Sequence, residues 1–204
     1  KYGKGQFNSL SGSEVLSLLY NIPEEDFKGL GKGLLKQILR CDEVIINEHI
    51  TQSDYHLGVD AIGKKKMQKN GLTFDVNHSI SLRIRFDNRF LDLNFRNYIA
   101  NDKSELSKIL ARYNSDSNYA KYFVQFFDVE NNKAKFCVLW RTDDIAVFTY
   151  DKLDSLDRYY KTSTSRYDFP ISEAIHYNAV CYDFSSPDRV KKVSYDYIKD
   201  TYRK

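Results

Sequence analysis

The 204-residue chain has three cysteines, Cys41, Cys137 and Cys181, and no CxxC pair or Cys/His cluster among them. Wide spacing and an odd count exclude a zinc site and a disulfide framework, and predict buried, reduced thiols in an intracellular protein. No apolar run is long enough to span a bilayer and no secretory leader is visible, so a cytoplasmic chain without membrane contact is expected. GxGxxG after a strand, GxxxxGK(S/T), GxSxG and HExxH are all missing, which removes the common nucleotide-binding, serine-hydrolase and metalloprotease signatures. The four histidines (His49, His56, His78, His176) are isolated, and there is no internal repeat. A strong charge of one sign is lacking too: 31 basic against 28 acidic residues leave +3, compatible with nucleic acid without demanding it. The chain begins at Lys1 rather than Met, which points to a native N-terminus reaching beyond it.

What is plentiful is aromatic surface: 16 Tyr and 13 Phe. Tyrosine combines an apolar body with a polar tip, which suits cores and interfaces alike. The length fits one well-cored domain spanning 1–204, with a helical N-terminal region (1–40), a sheet core (41–150) and C-terminal helices with a strand (151–204).

Ser11 and Glu14 have capping-box spacing ahead of Val15, Leu16, Leu18 and Leu19, which predicts a first helix. The run Phe27–Leu39 (FKGLGKGLLKQIL) then resembles the hairpin of a helix-hairpin-helix motif in Gly29, Leu30, Gly31, Leu35 and Ile38. The resemblance implies backbone amides at Gly29, Gly31 and Lys32 presented to a DNA phosphate, as unpaired first-turn amides allow. The bland alternative is a glycine-rich connection between two packed helices.

Further on, Asp102 and Glu105 have capping spacing and predict a helix through Leu106, Ile109, Leu110 and Tyr113. Three strand-like segments, 122–129, 135–141 and 145–150, predict an antiparallel meander. Segment 151–160 reads as helical, 161–168 as a hydroxyl-rich loop in which Arg166 is placed to meet phosphates or base edges, and 170–177 as a short helix. A strand over 179–184 and a terminal helix opened by Ser186-Pro187-Asp188 complete the chain.

The stretch 58–85, GVDAIGKKKMQKNGLTFDVNHSISLRIR, carries the chemistry. It reads as two strands, one bearing Asp60 and one Asp75, joined through a turn crowded by Lys64, Lys65, Lys66 and Lys69, with Asn70-Gly71 as its turn signal. In the second strand Thr73, Asp75, Asn77, Ser79, Ser81, Arg83 and Arg85 share one face, and Phe74, Val76, His78, Ile80, Leu82, Ile84 and Phe86 the other. His78, on the apolar face, reads as a hydrogen-bonded core histidine rather than a base. The lysines fit a solvated turn or, beside two carboxylates, a contact with phosphates. Cys41–Ile50 upstream reads as strand or helix end.

Helix, strand, strand with Asp60, strand with Asp75, helix, further strands: this order and these two acids resemble the PD-(D/E)XK nuclease superfamily, the restriction-endonuclease-like fold. That family places an Asp on the second core strand and an acid-X-Lys triplet on the third. Asp60 takes the first position, Asp75 the acid and Val76 the apolar middle, while Asn77 stands where the family has lysine. Asparagine is neutral, so Lys64–Lys66 or Arg83 would have to supply the charge, and Glu43 or Glu48 would assist the metal site. The resemblance implies a central mixed α/β sheet flanked by helices and a DNA endonuclease of the type II restriction class. It implies Mg²⁺ (or Mn²⁺) held by Asp60 and Asp75, Asn77 and Glu48 in the site, and a homodimer on duplex DNA. Lys64, Lys65, Lys66, Arg83, Arg85 and Arg166 are the side chains expected to hold the nucleic acid. Competing readings are a non-catalytic nucleic-acid-binding module on the same scaffold, and a protein-interaction domain with a tyrosine-rich surface.

Overall fold

The computed structural model describes residues 32–46, 58–85, 90–96, 104–114, 119–128, 134–162, 165–185 and 190–203. The chain runs through α1 (Lys32–Leu39), β1 (Glu43–Ile46), β2 (Ala61–Lys69), β3 (Leu72–Arg85) and β4 (Asp92–Arg96). Then come α2 (Glu105–Tyr113), β5 (Tyr122–Phe127), β6 (Phe136–Arg141), α3 (Thr142–Asp151) and a 3-10 turn, Leu153–Tyr159. The rest is β7 (Tyr160–Lys161), β8 (Arg166–Pro170), α4 (Ile171–Ala174), β9 (Val180–Asp183), β10 (Lys191–Val193) and α5 (Tyr195–Tyr202). The fold is mixed α/β, as the sequence predicts. Seven strands form one sheet in the order β1-β2-β3-β5-β6-β9-β10, and β4-β8-β7 form a second. Every pairing in the large sheet is antiparallel except β3–β5, which is parallel and is bridged by the crossover containing β4 and α2.

Alternation along the strands feeds two cores, one on each face of the sheet. Leu34, Leu35 and Ile38 of α1 pack on Ala61, Ile80, Leu82, Ile84, Val124 and Phe126. On the opposite face Phe123 and Phe127 join Phe95, Trp140, Phe148 and Phe169, with Leu106 and Ile109 of α2 and Ile198 of α5. Trp140 buries its ring there without losing a hydrogen bond, because its Nε1 donates to the Tyr177 carbonyl at 2.7 Å. All three cysteines are buried and free, and burial pushes the Cys181 thiol up to about 12.

Several local expectations give way to tertiary pairing. Segment 145–150 is helix, not a third meander strand: Ile145, Ala146, Phe148 and Thr149 are buried at helical spacing, and Asp143 and Asp144 sit in the first turn at the positive end of the dipole. Both ends of the expected 161–168 loop are instead strand, with Lys161 of β7 opposite Arg166 of β8. The terminal helix starts at Ser194, whose Oγ accepts from the Tyr197 amide at 3.2 Å, while Lys191–Val193 pair with β9. α2 is capped by Ser104, whose Oγ accepts from the Ser107 amide at 3.1 Å, which leaves Glu105 free to turn inward. The expected first helix at Ser11, and Ser186-Pro187-Asp188, lie outside the described residues.

Candidate functional site at the base of the hairpin

The route into the site is set by Gly58. Its φ of +59° is a left-handed conformation, and a Cβ there would stand 2.4 Å from the Tyr119 ring. Glycine therefore lets the chain pass against Tyr119 two residues before Asp60. The Asp60 amide then bonds at 2.8 Å to the carbonyl of Ile80, the β3 residue already paired with Ala61 at the start of β2, so Asp60 enters beside the Ile80–Leu82 stretch of β3.

Around that point a cluster of polar side chains is largely withdrawn from water, with its carboxylates buried and Arg83 and Arg96 partly exposed. Asp60 and Glu105 are 2% and 1% exposed. Asp60 Oδ2 accepts from the Leu82 amide at 2.5 Å and lies 4.0 Å from Arg83 Nη1. The other arm of the Arg83 guanidinium, Nη2, is hydrogen-bonded to Glu105 Oε1. Glu105 also accepts from the Tyr119 hydroxyl at 2.9 Å and, through Oε2, from the Arg96 amide at 2.9 Å. Burial, with the Glu105 charge beside it, pushes the Tyr119 hydroxyl well above its ordinary range, so it stays a proton donor. Arg96 is drawn below the usual arginine value first by the positive charge of Arg83 and then by burial, against the pull of Glu105 and Asp60. Two guanidinium groups and two carboxylates thus share one buried site at formal neutrality, the condition under which buried charge is tolerated.

Asp60 and Asp75 do not meet. Asp75 pairs with Lys66, six β3 positions away from Ser81, a separation of about 20 Å at the rise of an antiparallel strand. The expected two-aspartate pair is therefore corrected: β3 gains its second neighbour, β5, only from Ile80 onward, so Asp75 and Asn77 lie on its exposed outer half. The β3 residues that contact the Asp60 carboxylate are Leu82, through its amide, and Arg83, the last two of the triplet Ser81-Leu82-Arg83. Glu43 is exposed on β1 opposite Lys64, while Glu48 lies outside the described residues.

Of the residues expected to hold nucleic acid, Gly29 and Gly31 lie outside the described residues, and the Lys32 backbone is the first of α1. Arg85 and Arg166 turn inward, against expectation. Arg85 is 8% exposed and ion-paired with Asp92, and Arg166 Nε donates to Asp168 Oδ1 at 2.7 Å. These pairs belong to a polar seam between the two sheets, where Asn94 Nδ2 donates to Asp168 at 2.7 Å and its amide donates to Gln125 at 3.0 Å. His78 is not hydrogen-bonded at Nδ1; its ring packs edge-on against Tyr122, and burial with Lys121 and Lys65 nearby lowers its proton affinity.

The lysines do not crowd a turn. They are strand residues of β2, alternating from face to face, and only Asn70-Gly71 turns. Lys64, Lys66 and Gln68 share the face of Thr73, Asp75 and Asn77; Lys65, Met67 and Lys69 share that of Leu72, Phe74 and Val76. The first of these faces continues through Ile62 to Asp60.

Sequence reading missed Glu105, Tyr119 and Arg96. Glu105 carries a local signal only as a helix-start acid, and its meeting with Arg83 depends on the parallel crossover. As donors, the Asp60 and Glu105 carboxylates offer the hard oxygens that Mg²⁺ takes together with water and phosphate oxygens. Among the described residues no group of three His, Cys, Asp or Glu side chains comes together. Among them, too, no helix is long and apolar enough to cross a membrane. Comparison with protein-family models, with curated proteins and with solved structures finds no match to the chain.

Proposed function

We propose that the chain is a metal-dependent DNA endonuclease whose reactive groups are Asp60, Arg83 and Glu105, on a scaffold resembling the PD-(D/E)XK nucleases. The observation that carries this reading is the convergence of an acid at the start of the second strand, a guanidinium on the third and an acid on the following helix. The contacts of Asp60 with Leu82 and Arg83 support the same scaffold with a shifted triplet: Ser81 holds the acid's place, Leu82 the apolar middle and Arg83 the lysine's place, with Glu105 supplying the missing carboxylate.

Arginine keeps its proton at any working pH, so Arg83 acts as a fixed positive charge and not as a base. Such a charge, preorganised in a water-poor site, stabilises negative charge developing on a phosphate. Asp60 and Glu105 would hold Mg²⁺ or Mn²⁺, which when bound polarises the phosphate and raises the acidity of a water. Tyr119 and the Arg96 amide fix the Glu105 carboxylate, and the Leu82 amide fixes that of Asp60. Cutting both strands of a duplex requires two such clusters, so the acting form is a homodimer.

The test is cleavage of labelled duplex and single-stranded DNA in Mg²⁺, Mn²⁺ or EDTA by the wild type, Asp60→Asn and Glu105→Gln, with folding checked by thermal melting. Cleavage that needs a divalent ion and is lost in both folded variants is expected. Cleavage that survives both substitutions, or none under any condition, overturns the reading. A second reading has its own support: Arg83 and Arg96 together already balance both buried carboxylates, as in a non-catalytic nucleic-acid-binding module. It predicts salt-sensitive DNA binding without cleavage.

A further inference from the structure

We infer that the outer half of the β2–β3 hairpin is a groove-reading ribbon for duplex DNA, an inference that rests on the reading of the chain as one that acts on DNA. β1 pairs with β2 only as far as Lys64, and β5 with β3 only from Ile80. Beyond them Lys65–Lys69 and Leu72–Val76 form strand pairs only with each other among the described residues, a two-stranded ribbon of five pairs held at its base by Asp42, whose Oδ2 accepts from the Lys66 amide at 2.7 Å. At the rise of an antiparallel strand it is about 17 Å long. The major groove of B-DNA, about 12 Å wide, admits a two-stranded ribbon, whereas the deep, narrow major groove of A-form RNA does not.

Charge placement favours a groove over a flat partner. Lys66 on one face and Lys65 and Lys69 on the other are joined at the base by Lys64; the ribbon itself carries one carboxylate, Asp75, while Asp42 and Glu43 stand beside its base at Lys66 and Lys64. A ribbon lying on a surface meets anions on one side only; one inside a groove has a phosphate backbone on either flank, and lysines of both faces find partners. The face bearing Lys66, Gln68 and Thr73 presents the donors and acceptors that read base edges. It is also the face that leads to Asp60 and Arg83, so one duplex can meet both. The hairpin end, nine β3 positions beyond Ser81, then lies about 30 Å away, up to about nine base pairs of B-DNA. The opposite face exposes Met67, Leu72 and Phe74, and a second copy is the competing occupant there.

Binding is measured by fluorescence anisotropy in EDTA, where cleavage plays no part, on a 30-base-pair DNA duplex and an RNA duplex of the same length. The proteins are the wild type, a Lys64→Gln/Lys66→Gln/Lys69→Gln variant, and a ribbon shortened by deleting Gln68, Lys69, Leu72 and Thr73, which keeps Asn70-Gly71 and the facing of every remaining pair. The expected result is preference for DNA, at least about tenfold weaker binding by both variants at unchanged melting temperature, and a salt slope reduced by about 3 in the lysine variant. Wild-type binding by either folded variant, equal affinity for RNA, or no duplex binding at all overturns the inference. So does a dimer lost in Phe74→Ser while DNA binding is intact. Ribbon-dependent binding with no Mg²⁺ cleavage supports the ribbon and removes the endonuclease reading alone.

Discussion

Arg83 on β3 is hydrogen-bonded to Glu105 in the first turn of α2, and both side chains are almost closed to water, at 11% and 1% exposure. The contact ties the third strand to the helix that carries the chain across to β5. A carboxylate left alone in such surroundings is costly, and removing one partner of a buried pair typically destabilises by about 3–5 kcal/mol. Arg83→Met is therefore expected to lower stability by about that amount in urea unfolding at pH 7. Pairing the change with Glu105→Gln removes the stranded charge and should recover part of the loss. If the double variant is no more stable than the single one, the pair is not what holds this corner.

The close passage of Gly58 over Tyr119 can be separated from its backbone strain, because a second glycine supplies the control. Gly58 and Gly71 both have positive φ, +59° and +77°, but a Cβ at Gly71 meets nothing within 4 Å. Gly71→Ala should cost only left-handed strain, about 1–2 kcal/mol. Gly58→Ala adds a collision with a buried ring that also donates to Glu105, so it should cost clearly more and lower cleavage as well. Equal melting temperatures for the two variants would contradict the close approach.

Much of this architecture is legible one element at a time. The alternation along Leu72–Arg85 identifies the face that carries Ser81 and Arg83, and Asn70-Gly71 marks the turn, because both signals are local. Register is not local. Two aspartates on neighbouring strands look like partners until the bonds show Asp60 beside Ile80 and Leu82 and the register shows Asp75 level with Lys66. Lys64–Lys69 have poor β-propensity and suggest a turn; cross-strand pairing with β3 extends them all the same. Ile145–Tyr150 errs in the other direction: its β-branched and aromatic residues suggest a strand, while the acids at Asp143 and Asp144 announce a helix start. Glu105 and Arg83 are 22 residues apart, and nothing short of the parallel β3–β5 crossover brings them together.

Asp75 gives the sharpest contrast with the metal pair expected from the sequence. It is an exposed carboxylate on a lysine-rich ribbon, about 20 Å from the level of Asp60. Asp75→Asn should leave divalent-dependent cleavage detectable and tighten DNA binding by a few-fold at low salt, since it removes a repulsion from phosphate. Abolished cleavage with intact binding would return Asp75 to the reactive site and refute the register argument.

A buried carboxylate away from the Asp60–Glu105 cluster controls the acid limit of the fold. Asp183 of β9 accepts from the Ser185 hydroxyl at 2.6 Å and its amide at 3.2 Å, from the Tyr197 hydroxyl at 3.2 Å, and from the Tyr202 hydroxyl. Burial raises the cost of its charge, but the bonds from Ser185, Tyr202 and Tyr197 outweigh it and hold the carboxyl below its ordinary 3.8. A group depressed in the folded state contributes its stability above the unfolded value and loses it as the pH falls through the folded one. The Asp183 contribution is therefore complete at neutral pH and disappears below about pH 4. Hydrogen bonds to a charged group are worth about 1.5–3 kcal/mol, so Asp183→Asn should be destabilised by about that much at pH 7. As the pH is lowered from 5 to 2, the gap between wild type and variant in urea midpoint should close, because protonation takes from the wild type what the substitution has already removed. A gap that stays constant across that range would show that the carboxylate charge does not anchor α5 to β9.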